Sequence, residues 1–203
     1  MPTGIALDDA RARLFDAAER VLLRDGANAL TSRAVTAEAD CAKGVLHRHF
    51  VDFDGFLVEL VSDRARRLGA RRDGLLAQAG TGSIVGNLSG VLPMVFGPLA
   101  LRIVGLVIGR DELRARLGRG APGGIPVLRE AVAMVAGYLA AERELGRLVP
   151  SADVDRLALT LVGAAHLLFT SAVGGPSPEP AAVAGTVATV LAGALPAALP
   201  PPR

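Results

Sequence analysis

The sequence is poor in the residues that build several common functional sites. Its 203 residues include one cysteine, Cys41, one tyrosine and no tryptophan, and aromatic residues make up 3%. A single cysteine excludes an internal disulfide framework and a multi-cysteine zinc or iron–sulfur site within one chain. So few aromatic side chains argue against a stacking platform for single-stranded nucleic acid. The numbers of basic and acidic residues, 22 and 20, nearly balance. Any nucleic-acid contact must therefore be confined to a small patch.

Export and membrane signals are also lacking. Residues 1–24 carry Asp8, Asp9, Asp16 and Glu19 where a secretory signal needs an apolar stretch. The uncharged run 181–199 reaches the length of a membrane span, roughly 17–25 residues, but it is mostly alanine, glycine and threonine and lacks flanking basic anchors. Despite a mean hydropathy of +0.41, we therefore expect a soluble cytoplasmic protein.

The residue pattern predicts an all-α protein of two domains. Alternating β-branched or aromatic stretches are absent, whereas alanine, leucine, arginine and glutamate dominate. Near residue 80, dense charge gives way to an apolar, glycine-rich chain. We expect a three-helix N-terminal domain over 1–52, a long linking helix over 53–79 and a larger helical domain over 80–203. Helices within the larger domain are expected over 83–96, 98–117, 124–147, 151–173 and 179–196.

Residues 30–50, LTSRAVTAEADCAKGVLHRHF, hold the most informative pattern. They predict two short helices, over 32–39 and 43–50, joined by the turn residues 40–42. Helices this short cannot stand alone, so they must pack against the first and fourth helices. Two short helices joined by a tight turn form a helix-turn-helix, whose second helix enters the DNA major groove.

The second of these short helices has an inner and an outer face. Leu46 and Phe50, four residues apart, point inward. The outer face then carries Lys43, Gly44, His47 and Arg48. Lys43 is the only lysine in the sequence, and it lies at the helix N-terminus, where free N–H groups and the helix dipole favour phosphate. This face is therefore interpreted as a focused DNA contact.

Several residues between positions 14 and 60 occur in a familiar order. They are Leu14-Phe15, Ala17-Ala18, Gly26, Leu30-Thr31-Ser32-Arg33, Gly44, Leu46, His49-Phe50 and Phe56-Leu57. This stretch resembles the DNA-binding domain of the TetR family of transcriptional regulators. The resemblance implies a homodimeric, repressor-like protein that binds a palindromic operator and releases it when a small, apolar effector binds the C-terminal domain. It implies neither an enzyme nor a cofactor.

Carried over residue by residue, the resemblance assigns DNA contacts to nine positions. Thr31 or Ser32 is expected at a phosphate, Arg33 at phosphate or base, and residues 43–45 at base edges. His47 stands where the family usually has a phosphate-binding tyrosine. The full set is Thr31, Ser32, Arg33, Lys43, Gly44, Val45, His47, Arg48 and His49.

The sequence also departs from the family pattern. The replacements are Thr36 for a small alanine, Asp40 for the turn glycine, His47 for tyrosine, and Phe53 for a common lysine at the start of the fourth helix. Phe53 is flanked by Asp52 and Asp54, whose carboxylates would oppose a DNA phosphate. We therefore expect a lower operator affinity, or a different docking, than in a typical member.

The C-terminal half offers weaker site predictions. Candidate effector contacts are the larger or polar side chains of its helices, with simple core packing as the alternative: Phe96, Arg102, Met134, Tyr138, His166 and Phe169. Glu142 and Glu144 lie among arginines and are expected to be solvated. The last two helices are apolar nearly all round, which predicts pairing with the same helices of a second chain in a four-helix bundle.

Other chemistry finds little support. His47 and His49 lie on nearly opposite helix faces, so with Cys41 they cannot chelate one metal ion. The G-x-G-x-x-G run at 118–123 has no preceding strand and reads as a loop, and Ser171 lacks the nucleophile elbow of a hydrolase. The alternatives left open are a membrane-associated hairpin over 157–199 and a small helical enzyme using the C-terminal cavity.

Overall fold

The computed structural model describes residues 4–42, 44–119, 124–172 and 174–196, with side chains from residue 10 onward. Every regular element in these ranges is helical, so the predicted all-α class is confirmed. The helices are α1 (Gly4–Asp25), α2 (Ser32–Glu38), α3 (Gly44–His49), α4 (Phe53–Gly69), α5 (Arg72–Leu76), α6 (Ile84–Val95), α7 (Pro98–Ile108), α8 (Asp111–Gly118), α9 (Pro126–Glu144), α10 (Val154–Ser171) and α11 (Pro180–Leu191).

Side-chain caps explain where several helices begin. Thr31, Ser83 and Asp153 precede α2, α6 and α10, and each side-chain oxygen accepts a hydrogen bond from a backbone N–H three residues later, at 2.9–3.1 Å. Such caps satisfy donors that the first helical turn leaves free. Pro180 begins α11 at the position where a missing N–H costs nothing.

The chain divides into two compact units. The first unit comprises Met1–Ala65 and Pro98–Val127, and the second comprises Arg66–Gly97 and Leu128–Arg203. Helices α7 and α8 thus belong with the N-terminal residues, whereas the residue pattern predicts them in a domain over 80–203.

Apolar residues at helical spacing form the core of the first unit. α1 buries one face, and α7 packs against it through residues that are themselves buried. An aromatic cluster closes this core: the Phe56 ring centroid lies 5.6 Å from that of Phe15 and 5.0 Å from that of Phe50. The buried residues of α1 and α7 are Leu14, Phe15, Ala17, Ala18, Val21, Leu22, Ala100, Ile103, Val104, Leu106 and Val107.

The second unit has its own core, in which α11 packs against both α6 and α10. Its buried residues include Leu88, Leu92 and Val95 of α6, Ala158, Leu161, Val162 and Ala165 of α10, and Val183, Val187 and Leu191 of α11. By length and composition, α10 could also cross a membrane, with 33% of its residues buried within the chain.

Two predicted helices are interrupted. The linking helix predicted over 53–79 ends as α4 at Gly69, and the short α5 follows. The helix predicted over 98–117 breaks between α7 and α8, where Arg110 adopts an extended backbone. A glycine lies at each break, Gly69 and Gly109, and glycine costs about 1 kcal/mol in a helix interior relative to alanine. The glycine-rich run at 118–123 lies largely outside the described residues.

Candidate nucleic-acid interface

α2 and α3 form the predicted helix-turn-helix. Val35, Ala39, Leu46 and Phe50 are all buried, as their spacing predicted. The chain reverses at Asp40, whose φ of 49° is the one positive value among the described non-glycine residues. Aspartate tolerates this conformation better than most side chains, which explains why the turn glycine of the family can be replaced here.

The departure at Thr36 is also accommodated. Its side chain is only 2% exposed, and its hydroxyl donates to the backbone oxygens of Ser32 and Arg33, at 3.0 and 3.2 Å. A buried hydroxyl that has a hydrogen-bond acceptor costs little. The replacement therefore leaves α2 intact.

Eight of the nine residues predicted to contact DNA lie in the described part of the helix-turn-helix and the residue before it, and we call these eight the recognition surface. Arg33 and Arg48 form no ion pair with any residue that the structure describes, so both guanidinium groups are available to a partner. Lys43 lies outside the described residues. The exposed members of the surface are Thr31, Arg33, Gly44, His47 and Arg48, and the half-buried ones are Ser32, Val45 and His49.

Arginines from α1 pair with the acidic residue at the end of α2. Glu38 accepts hydrogen bonds from Arg20 at 2.7 Å and from Arg24 at 2.8 Å. Both hydrogen bonds lower the pKa of Glu38, and the bond from Arg20 has the larger effect. Glu38 is the acidic residue of α2, and arginines of the same unit therefore neutralise its negative charge.

Asp52 and Asp54, predicted to oppose a phosphate, also have arginine partners. Asp52 accepts the backbone N–H of Gly55 at 2.6 Å, and Nη1 of Arg116 lies 2.8 and 2.9 Å from its two oxygens. The bond from Gly55, followed by that from Arg116, lowers the pKa of Asp52. Asp54 lies 3.9 Å from Arg110. Both carboxylates are thus compensated by arginines of the α7–α8 region.

Sequence comparison identifies this part of the chain. Residues 14–60 match the family described as bacterial regulatory proteins, tetR family. The chain carries a TetR-family DNA-binding domain. A comparison with curated protein sequences gives no match.

Solved structures share the fold over nearly the whole chain. NemR of E. coli, in its reduced form, has a TM-score of 0.68 at 19% identity and covers 93% of this chain and 100% of its own. SmeT, the repressor of the Stenotrophomonas maltophilia multidrug efflux pump SmeDEF, has a TM-score of 0.65 at 18% identity over 92% and 91%. The fatty acid degradation regulator FadR from Bacillus halodurans has 0.67 at 18% over 89% and 94%. The chain thus shares its fold with these solved regulators.

The candidate effector contacts are only partly brought together. In the second unit, the ring of Phe96 stacks on Phe169 with centroids 5.8 Å apart and lies 6.1 Å from the ring of His166. Met134 and Tyr138 are buried in α9 of the same unit. Arg102 belongs to the first unit, where it lies exposed on α7 close to Gly26.

A buried polar cluster surrounds Tyr138. Its hydroxyl donates to Oε1 of Glu142 at 2.5 Å and accepts from Asn87 at 2.9 Å. Oε2 of Glu142 forms an ion pair with Nη1 of Arg147 at 3.2 Å. Nη2 of Arg147 donates to the backbone oxygen of Gly82 at 2.6 Å. The prediction that Glu142 is solvated is wrong, since its exposed fraction is 0%. Its i, i+4 spacing from Tyr138 was the available signal.

Burial and the bond to Glu142 raise the pKa of Tyr138 to about 12. A raised pKa means that the folded chain holds the neutral phenol, so its contribution to stability is complete below pH 10 and is lost as the pH rises from about 10 to 12. Because the chain has one tyrosine and no tryptophan, phenolate absorbance reports Tyr138 alone. We expect a native midpoint about 2 units above that of the chain unfolded in denaturant.

Two variants control this titration. Tyr138→Phe should remove the transition, and Glu142→Gln should lower the midpoint while leaving it above that of the unfolded chain, because burial still raises the pKa. A native midpoint equal to that of the unfolded chain would contradict the buried cluster.

The second unit also contains a cavity that the side chains of the Tyr138 cluster do not line. It has a volume of about 460 Å³ and is lined by Arg143, Glu144, Gly146, Leu148, Val149, Pro150 and Pro196. None of the six candidate effector contacts lines it. The described residues contain no group of three potential metal ligands, and the hydroxyl of Ser171 donates to the backbone oxygen of Leu168 at 2.9 Å.

Proposed function

We propose that this chain is a ligand-responsive transcriptional repressor that binds a palindromic operator as a homodimer and is released by a small, apolar effector. The observation that carries the DNA-binding part is the recognition surface. Arg33 and Arg48 are exposed there and have no ion-pair partner among the described residues, while Glu38 and Asp52 are paired with arginines of the same unit. An unpaired basic face beside compensated carboxylates suits a phosphate backbone.

The supporting experiment is a selection of genomic DNA fragments by the purified chain at moderate salt. A homodimer with two helix-turn-helix motifs should enrich an inverted repeat whose half-sites lie about one DNA turn, or 34–36 Å, apart. Sequencing the retained fragments measures this directly. Recovery of fragments without a shared repeat would contradict an operator-binding regulator.

Replacing Lys43 with alanine is expected to weaken operator binding without dissociating the dimer. Each phosphate contact contributes about 0.9 to the slope of log affinity against log salt, so two copies of Lys43 should lower the slope by about 1.8. Fluorescence anisotropy over a salt series measures both quantities. Arg119→Ala removes the same charge from the end of α8, on a residue that is 67% exposed, and should change neither.

Because Lys43 is the only lysine, chemical modification gives a second test of its contact with DNA. Amine acetylation followed by peptide mass analysis reports Lys43 separately from the N-terminus, and operator should protect it. Unchanged affinity in Lys43→Ala together with unprotected acetylation would remove Lys43 from the interface.

The effector and the cellular compartment are proposed on separate grounds. The aromatic group of Phe96, His166 and Phe169 favours an apolar effector, and the structural neighbours include an efflux-pump repressor and a fatty acid degradation regulator. We place the protein in the cytoplasm because operator DNA is there. An effector should lower operator affinity and, by linkage, bind less tightly when operator is present.

A further inference from the structure

Arg116 of α8 reaches the start of α4 from 64 residues away in sequence. Its Nη1 contacts both carboxylate oxygens of Asp52, and its Nε donates to Glu112 one turn earlier in α8, at 2.8 Å. Glu112 therefore holds the guanidinium in place while Arg116 holds Asp52. The Arg116 side chain is 30% exposed, so protein surrounds most of it.

Asp52 is the residue on which α4 starts. Its Oδ1 accepts the N–H of Gly55, which makes it the cap of the helix. Only residues 50–52 separate the end of α3 from the start of α4, and Phe50 among them is fixed in the aromatic cluster. A rotation of the start of α4 must therefore be transmitted to α3, which carries part of the recognition surface.

We propose that Arg116 is a positioning residue for DNA recognition, which acts by fixing Asp52 and with it the orientation of α3. The proposal rests on the DNA-binding function proposed above. Arg110 contributes a parallel contact: its Nη2 donates to the backbone oxygen of Leu30 at 2.9 Å, directly before the cap of α2. The region over 98–118 thus holds the starts of both α2 and α4.

The sign of one substitution separates this role from simple electrostatics. A carboxylate near DNA repels phosphate, so Asp52→Asn should raise operator affinity if Asp52 acts only through its charge. If Asp52 is the anchor for Arg116, the same change should lower the affinity by about fivefold, because asparagine keeps the cap and loses the ion pair. Asp54→Asn is the matched control, since its nearest arginine nitrogen lies 3.9 Å away.

Arg116→Ala tests the other partner in the full-length chain. We expect about a fivefold loss of operator affinity at an unchanged salt slope, because Arg116 is not itself a phosphate contact. Arg116→Lys should recover part of the loss, and the double variant with Asp52→Asn should be no weaker than either single one. Arg119→Ala removes the same charge from a residue 67% exposed at the end of α8 and should have no such effect.

Amide hydrogen exchange over 44–58 reads the positioning without DNA. Faster exchange in Arg116→Ala, but not in Arg119→Ala, is expected. Unchanged exchange, a salt slope reduced by about 0.9 per contact, or higher affinity in Asp52→Asn would each overturn the proposal. Failure of the wild-type chain to select an operator would instead count against the proposed function, while exchange would still decide the role of Arg116.

Discussion

Replacing Phe56 with alanine should destabilise the first unit by about 3–5 kcal/mol, the usual cost of removing a fully buried aromatic ring. The side chain is 0% exposed, and its ring touches those of Phe15, Phe50 and Phe53 with centroids 5.0–5.7 Å apart. Loss of the ring would leave a cavity among side chains from α1, α4 and the end of α3. Chemical denaturation followed by circular dichroism measures the free energy of unfolding.

Operator binding should fall together with this stability. Phe50 anchors the end of α3 against Phe56, so the recognition surface loses its support when the cluster is opened. Phe56→Leu is the matched control: it keeps an apolar side chain and should cost under about 1.5 kcal/mol. Equal stability of the alanine and leucine variants would show that the cluster does not hold α3.

The helix-turn-helix could be predicted because its signals are local. The spacing of Val35, Ala39, Leu46 and Phe50 defines the inner faces of two helices, and the threonine cap of α2 lies beside them in sequence. The TetR-family match over residues 14–60 confirms the resemblance stated from the same residues. Periodicity and capping act over a few residues, so one sequence suffices to read them.

Contacts between distant residues could not be read in this way. Arg116 and Asp52 are 64 positions apart, and Asn87 and Tyr138 are 51 apart. A charged residue on a helix looks the same in sequence whether solvent or a carboxylate faces it. For this reason the sequence predicts a solvated Glu142, and it gives no sign of the arginine that pairs with Asp52.

The ends of two helices could not be predicted from the sequence either. The apolar pattern continues across Gly69 and Gly109, so periodicity alone predicts uninterrupted helices there. At Gly69, a Cβ atom would lie 3.1 Å from Oε2 of Glu130, a residue 61 positions away in sequence. Crowding of this kind depends on neighbours brought close by the fold.

Helix α10 carries two exposed leucines. Leu159 and Leu167 are 63% and 70% exposed, eight residues apart on one side of the helix, with Gly163 between them. Exposed apolar side chains that share a face indicate a surface covered by a partner. Since a two-fold axis brings identical surfaces together, this face of α10 would meet the same face of a second copy.

The double variant Leu159→Glu with Leu167→Glu should therefore convert the dimer to a monomer, because two-fold symmetry places four introduced carboxylates in one interface. A monomer engages a single half-site, so operator affinity should fall by at least about 100-fold through the loss of the linked second contact. Sedimentation equilibrium and operator titration measure the two effects. Leu145→Glu, at a leucine 57% exposed just after α9, is the control that should remain dimeric. A double variant that stays dimeric would exclude this face, whereas a wild-type chain that is soluble only in detergent would assign the same leucines to a membrane.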